Sequence, residues 1–109
     1  MSVPAWFARS AFRAQEAAMG RPTFALLAEL ERTQWLSRDA LRAYQTCRLN
    51  ELLQGALAHS PWHAARLQAA GMADVVRQGG VTLADLACLP TMDKRDARDN
   101  VEQLVWRDV

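Results

Sequence analysis

The sequence predicts an all-α protein: a small multi-helix domain with one long central helix and short helices after it. Apolar residues recur at spacings of three and four, and no segment shows the sustained alternation that is typical of strands. Glycine, proline and capping residues divide the chain into segments of helical length. With 109 residues, half of them hydrophobic, the chain is long enough to bury a core.

Two helices are predicted before residue 37. The first covers residues 8–19, because this alanine-rich segment is closed by Gly20 with Pro22 just beyond. Thr23 is the predicted N-cap of the second helix. The apolar residues of that helix return near the helical period, at Phe24, Leu27 and Leu30. Residues 1–36 are therefore interpreted as an N-terminal helical arm.

The longest helix is predicted at residues 38–59. Ser37 is a good N-cap, and the charge of Asp39 suits the first turn of a helix. Gly55 weakens this helix, since glycine costs about 1 kcal/mol relative to alanine in a helix interior. The predicted inner face consists of Leu41, Gln45, Leu49, Leu52, Leu53 and Ala56.

Shorter helices are predicted in the remainder of the second region, residues 37–109. Ser60 and Pro61 suit the cap and first position of a helix that ends before Gly71. Residues 72–81 are expected to be irregular, with a turn at Gly79-Gly80. Thr82 and Asp85 resemble a capping box for a short helix over 83–89, which Pro90 ends. Thr91 or Asp93 is the predicted cap of a last helix over 94–104.

Charge gives no indication of a nucleic-acid or membrane partner. The net charge is +1, and Lys94 is the only lysine. A nucleic-acid surface is expected to be densely basic, and a membrane-spanning helix needs about 20 apolar residues. Neither feature occurs, nor does a secretory signal pattern, so we expect a cytoplasmic protein with no nucleic-acid and no membrane partner.

The cysteines and histidines do not form a recognisable metal motif. Cys47 and Cys88 are far apart in sequence with no CxxC spacing, and they are expected to be buried or half-buried free thiols. His59 and His63 have the four-residue spacing of two ligands on one helix face. Pro61 lies between them and should break that helix, so we predict no metal site.

Other motifs also have structural interpretations. Gly79-Gly80 follows no predicted strand and is interpreted as a turn rather than a phosphate-binding loop. Each of the four tryptophans is expected to seal the edge of a core, which we prefer to stacking on single-stranded nucleic acid. A helix-turn-helix over 82–104 would lack a basic recognition helix. We therefore predict no catalytic, cofactor-binding or metal-binding residue in this chain.

An ordered series of short motifs begins after Leu41. A long amphipathic helix leads into Ser60-Pro61-Trp62-His63, and Thr82-Leu83-Ala84-Asp85-Leu86 and Leu89-Pro90 follow before the segment Lys94 to Asn100. This order resembles the N-terminal region of the phenylacetate–CoA ligase family, including its CapK-type relatives, over residues 38–106. His63 stands where that family favours tyrosine, and Met92-Asp93 where a hydrophobic–threonine pair is common.

The resemblance implies adenylate-forming chemistry, in which a carboxylate is activated with ATP and Mg²⁺ and then passed to coenzyme A. The family's phosphate loop and C-terminal lysine domain have no matching positions in this chain, and Lys94 matches a lysine outside the family's catalytic centre. The expected function is thus that of a helical N-terminal portion with a scaffold or docking role, not catalytic alone. Its expected partner is an adenylation core domain, in cis or in trans, or a second copy that associates around Leu104, Val105 and Trp106.

A different class of function is also consistent with these residues. The chain could be a stand-alone helical protein-interaction module without enzyme activity, which only shares the shape of the family's N-terminal region. Gene context distinguishes the two interpretations, because the first requires an adenylation core that is encoded in the same gene or beside it.

Overall fold

The computed structural model describes residues 3–108. The chain is all-helical as predicted, and none of the described residues lies in a strand. It divides into two compact units, an N-terminal unit (Met1–Arg38) and a C-terminal unit (Asp39–Val109). The helices are α1 (Ala5–Ala18), α2 (Thr23–Thr33), the long α3 (Arg38–His59), α4 (Pro61–Ala69), α5 (Ala73–Arg77), a 3₁₀ helix (Leu83–Cys88), α6 (Lys94–Asp99) and α7 (Val101–Leu104).

A buried carboxylate links the two helices of the N-terminal unit. Glu16 accepts hydrogen bonds from the Arg21 guanidinium at 3.3 Å and from the Thr23 hydroxyl. The prediction that Thr23 caps α2 is therefore wrong, because Thr23 is the first residue of the helix and its hydroxyl is used by Glu16. Gly20 adopts φ +66° and ends the α1 segment, as its sequence position predicts.

The N-terminal unit buries no large apolar side chain among its described residues. Its buried residues are Glu16 and Thr33, which are both polar. Phe12 meets the half-buried Phe24 edge to face at 5.7 Å, and the Arg13 guanidinium lies over the same Phe24 ring. This unit therefore lacks a hydrophobic core of its own.

The core of the C-terminal unit consists of Leu67, Val76 and Val81. Partly buried hydrophobic residues pack against it: Leu49, Leu53, Leu57, Met72, Val75 and Leu89. The predicted inner face of α3 is correct at Leu49, Leu53 and Ala56 and wrong at Leu41, Gln45 and Leu52, which are exposed. Leu41 and Gln45 are exposed because they precede Leu49, the first α3 residue that packs on the core of this unit.

A buried amide side chain connects α3 to the loop before the 3₁₀ helix. The Nδ2 of Asn50 donates to the carbonyl oxygen of Val81 at 2.8 Å and to that of Thr46 at 2.9 Å. In return, the Val81 N–H donates to the Oδ1 of Asn50 at 2.9 Å. The side chain thus pairs both backbone polar groups of the deeply buried loop residue Val81, which has no helical partner for them.

The middle junctions follow the predicted capping signals, with one correction. Ser60 caps α4 by accepting from the His63 N–H, and Pro61 is the first residue of that helix. Residues 72–81 are not irregular throughout as predicted, because α5 forms there and buries Val76 completely. The predicted turn is correct, and Gly79 adopts φ +67° in it.

The last predicted helix is interrupted. Asp93 caps α6 by accepting from the backbone N–H groups of Arg95 and Asp96 at 2.8 Å. The single helix predicted over 94–104 is wrong, because Asn100 leaves helical geometry at φ −122°, ψ 23°. Its side chain donates to the carbonyl oxygen of Asp96 at 2.9 Å, a local bond that competes with helix continuation.

The end of the described chain docks on α3. The Arg107 N–H donates to the carbonyl oxygen of His59, and the His59 ring nitrogen Nδ1 lies 2.9 Å from the carbonyl oxygen of Arg107. Trp106 stacks on the His59 ring and covers Gly55, where a Cβ would lie 2.6 Å from the indole. Gly55 is therefore required by the approach of Trp106, although it weakens α3 locally.

Candidate functional site

The candidate site is a cleft in the C-terminal unit with a volume of about 200 Å³. It lies where α3 and α4 meet the loop that follows the 3₁₀ helix. Most of its lining is apolar, and its polar members are His63 and Arg66. The apolar lining consists of Leu53, Ala56, Trp62, Leu67, Leu89, Pro90 and Met92.

The wall of the cleft is organised around the buried Trp62 ring. Trp62 and Arg66 are four residues apart on α4, so they lie one above the other on the same face. The Arg66 guanidinium lies 4.4 Å from the Trp62 ring centroid, and its Nη2 donates to the carbonyl oxygen of Thr91 at 2.6 Å. These two contacts hold the loop of Leu89 to Met92 beside α4.

His63 is the titratable group of this wall. Its ring meets Trp62 edge to face at 5.0 Å between centroids. Burial lowers the pKa of His63 from its ordinary value, and the positive charge of Arg66 lowers it further. At neutral pH the lining therefore holds a neutral imidazole and one cation, and no carboxylate is among the lining residues.

This arrangement favours binding over bond-making chemistry. An apolar guest would lose water contact against Trp62, Leu67 and Met92, and Arg66 would add a hydrogen-bond donor at the edge of the cleft. General acid–base or nucleophilic catalysis needs a base within hydrogen-bond reach of a second reactive group. The lining residues provide no such pair, and most of the surface that they offer is apolar.

The two histidines of the four-residue spacing have separate environments. His59 contacts Trp106 and the backbone of Arg107, whereas His63 packs on Trp62. Among residues 3–108, no group of three His, Cys, Asp or Glu side chains is close enough to hold a metal ion.

Two predictions about burial are wrong. Cys47 and Cys88 are exposed free thiols rather than buried ones. Of the tryptophans, Trp62 is buried as expected, but Trp6 and Trp35 project into solvent. Both of these exposed rings belong to the N-terminal unit, which has no core edge for them to seal.

The sequence does not predict the cleft, although it contains part of the signal for it. The Trp62–Arg66 spacing predicts a shared helix face and a cation over an aromatic ring. The other wall is formed by residues about 25 positions further along the chain. The hydrogen bond from Arg66 to Thr91 holds these residues beside α4. Lys94 lies outside the cleft lining, as the first residue of α6.

No family model, curated protein or solved structure was found to match the chain significantly. Within residues 3–108, no helix has both the length and the apolar character required to cross a membrane.

Proposed function

We propose that this chain is the helical N-terminal portion of an adenylate-forming protein of the acyl/aryl-CoA ligase type. In this role it is a scaffold and docking surface and is not catalytic alone. The observation that carries the proposal is that the ordered, family-like residues lie at the junctions that hold the C-terminal unit together. Residues with an architectural role are expected at such positions, whereas catalytic residues are expected to converge on a reaction site.

Ser60 and Pro61 support this interpretation first. The buried Ser60 hydroxyl accepts from the His63 N–H, and it lies 3.3 Å and 3.2 Å from the carbonyl oxygens of Gln103 and Leu104. Pro61 starts α4 at the position where a missing N–H has no cost. This motif therefore fixes the angle between α3 and α4 and also anchors α7.

The later motifs have the same kind of role. The Asp85 carboxylate accepts from the backbone N–H and the hydroxyl of Thr82, at 2.7 Å and 2.8 Å, and so fixes the start of the 3₁₀ helix. Leu89 packs on the core, and Pro90 lines the cleft. The segment from Lys94 to Asn100 is α6 with its following cap residue.

The proposed partner is an adenylation core domain, in cis or in trans, in the cytoplasm. ATP, Mg²⁺ and coenzyme A would be bound by that core. The apolar cleft beside Trp62 is the contact point that we assign to it, because an apolar side chain of the core would fill this volume. The carboxylic acid substrate would be selected by the core.

The test combines activity and binding. The isolated chain is expected to catalyse no ATP–pyrophosphate exchange with any acid of a carboxylate panel, and measurable exchange would contradict the scaffold role. An adenylation core encoded in the same or an adjacent gene should bind the chain in calorimetry. Met92→Asp should weaken that binding, because it places a charge in the cleft lining. The matched control is Val101→Asp, an exposed apolar residue outside the cleft.

A second candidate is a stand-alone helical interaction module without enzyme activity. The observation that favours it is the large exposed apolar surface of the N-terminal unit. A gene that ends near residue 109 with no adenylation core beside it would favour this module. Co-purification with a core domain would favour the scaffold.

A further inference from the structure

The cleft beside Trp62 has the size of one side chain. Its volume is about 200 Å³. A cavity of about 150 Å³ accepts a benzene-sized group, whereas pockets for drug-sized molecules have about 300–1,000 Å³. The cleft therefore suits a single apolar side chain better than a ligand of nucleotide size.

The charged residue of the lining has no carboxylate partner. Arg66 is half-buried, lies over the Trp62 ring and donates one hydrogen bond to the carbonyl oxygen of Thr91. Within residues 3–108, no Asp or Glu side chain lies within ion-pair distance of its guanidinium. Since a guanidinium carries five N–H donors, most of them are left for a partner of the cleft.

His63 adds a neutral hydrogen-bond donor beside this charge. It lies three residues before Arg66 on α4, so the two side chains are neighbours on the helix surface. Burial, and then the positive charge of Arg66, lower the pKa of His63, which leaves a neutral ring with one N–H at neutral pH. This edge of the cleft therefore offers N–H donors and a positive charge, and an anionic group is its complementary partner.

We propose that the cleft binds a leucine-like side chain from an acidic segment of the partner, and that a carboxylate of this segment pairs with Arg66. The inference rests on the proposed function, because it specifies the segment with which the adenylation core contacts this chain. A carboxylate can accept two parallel hydrogen bonds from a guanidinium, which fixes its orientation. Tryptophan and arginine are enriched among the residues that dominate binding energy at interfaces, and here Trp62 and Arg66 are in contact.

The test uses the full 109-residue chain and three peptide probes that differ mainly in charge. The probes are acetyl-Asp-Leu-Asp-amide, acetyl-Asn-Leu-Asn-amide and acetyl-Lys-Leu-Lys-amide, and binding is followed through the NMR signal of the Trp62 indole N–H. The Asp probe should bind at least about fivefold more tightly than the Asn probe, and the Lys probe should bind most weakly. Arg66→Gln should abolish this preference. The matched control is Arg77→Gln, which removes the same charge from α5, outside the lining, and should retain it.

The pKa of His63 provides a readout without substitutions, in case Arg66→Gln disturbs the loop at Thr91. An apolar group in the cleft removes water and lowers this pKa further, whereas a carboxylate beside Arg66 raises it. In NMR titrations extrapolated to saturation, the pKa of His63 should be higher with the Asp probe than with the Asn probe. Equal pKa values would overturn the proposal. So would equal affinities of these two probes, or no binding of any probe at tens of millimolar.

The outcomes separate this inference from the proposed function. A core domain that binds the wild type and Arg66→Gln equally would overturn the acidic contact and leave the scaffold role in place. Binding of the Asp probe by a chain whose gene neighbourhood encodes no core would support the acidic contact and contradict the scaffold role. If the free acid isocaproate binds as tightly as the Asp probe, the assignment of the cleft to a protein segment is overturned.

Discussion

The buried pairing of Asn50 with Val81 yields the sharpest prediction about stability. In Asn50→Ala, the Val81 N–H and carbonyl oxygen both lose their partner, and Val81 is only 1% exposed. Each buried polar group without a hydrogen bond costs about 1–3 kcal/mol, so the loss is about 2–6 kcal/mol. This is a large fraction of the ~5–15 kcal/mol that stabilises a typical domain.

The assay is thermal and urea unfolding followed by circular dichroism. Asn50→Ala should lower Tm by at least about 8 °C, because 1 kcal/mol corresponds to roughly 4–8 °C in a domain of this size. The control is Gln54→Ala, which removes an exposed side chain with one long bond of 3.4 Å to the Arg77 carbonyl. A loss below about 1 kcal/mol for Asn50→Ala would refute the reasoning that the amide satisfies both groups.

Asn50→Asp separates hydrogen bonding from packing, because the two side chains have nearly the same shape. At neutral pH a carboxylate oxygen would face the Val81 carbonyl oxygen, where the native Nδ2 donates. In its acid form the carboxyl group can donate there instead, so folding raises the pKa of this introduced group. The deficit of Asn50→Asp relative to wild type should therefore shrink as the pH falls below neutrality. A deficit independent of pH would contradict the assigned bond.

Three further predictions concern the C-terminal unit. Gly55→Ala should lower the free energy of unfolding by about 1 kcal/mol in the intact chain, because the added methyl group collides with the indole of Trp106. In the Trp106→Ala background the same substitution should raise the free energy of unfolding by about 1 kcal/mol, because alanine favours helix over glycine. Ser60→Ala should cost about 1–2 kcal/mol in urea unfolding through loss of the α4 cap. Because folding lowers the pKa of His63, the unfolded chain binds a proton more readily than the folded one. Tm should therefore decrease as the pH is lowered from about 8 to about 5, and this decrease should be smaller in His63→Gln.

Each of these predictions has a clear contrary result. Gly55→Ala that stabilises both backgrounds equally would show that Trp106 does not cover Gly55 in solution. If Ser60→Ala leaves the stability unchanged, the buried Ser60 hydroxyl does not stabilise the junction between α3 and α4. The slope of His63→Gln has to be compared with wild type above about pH 5, since carboxylates titrate below that range. There Asp85 acts with the same sign, because the Thr82 bonds lower its pKa and their contribution is lost as acid protonates the carboxylate.

Much of the helical layout could be predicted because its signals are local. The bounds of α3, the Ser60 and Pro61 start of α4 and the Asp93 cap of α6 all follow from residues within one turn of the junction. The structure confirms the all-α class for the same reason, since a 3.6-residue period requires no knowledge of distant neighbours.

The errors have physical causes beyond one turn. The hydroxyl of Thr23 is used by Glu16, seven residues earlier, instead of by its own helix. α5 is a single short turn that is stabilised by burial of Val76, so its own sequence carries little periodicity. Asn100 interrupts a helical pattern through its own side chain, which competes with the backbone for a carbonyl group.

The candidate cleft was beyond prediction because its walls come from distant segments. α4 provides Trp62 and Arg66, and the opposite wall depends on the bond from Arg66 to Thr91. The sequence predicts no role for Asn50 for the same reason, since its partner Val81 is 31 residues away. A polar residue beside an apolar helical face looks solvent-exposed until the element that covers it is known.

The long-range bonds of the C-terminal unit also determine how it can fold. Asn50 pairs with Val81, and His59 pairs with Arg107, so the two closed loops overlap instead of one lying inside the other. The two loops share residues 59–81, which contain α4 and α5, so we expect this unit to unfold as one cooperative element. In the N-terminal unit, the ring contact between α1 and α2 joins Phe12 and Phe24, which are only 12 positions apart. Its helices should therefore form on the microsecond timescale of local contacts, before the C-terminal unit closes its loops.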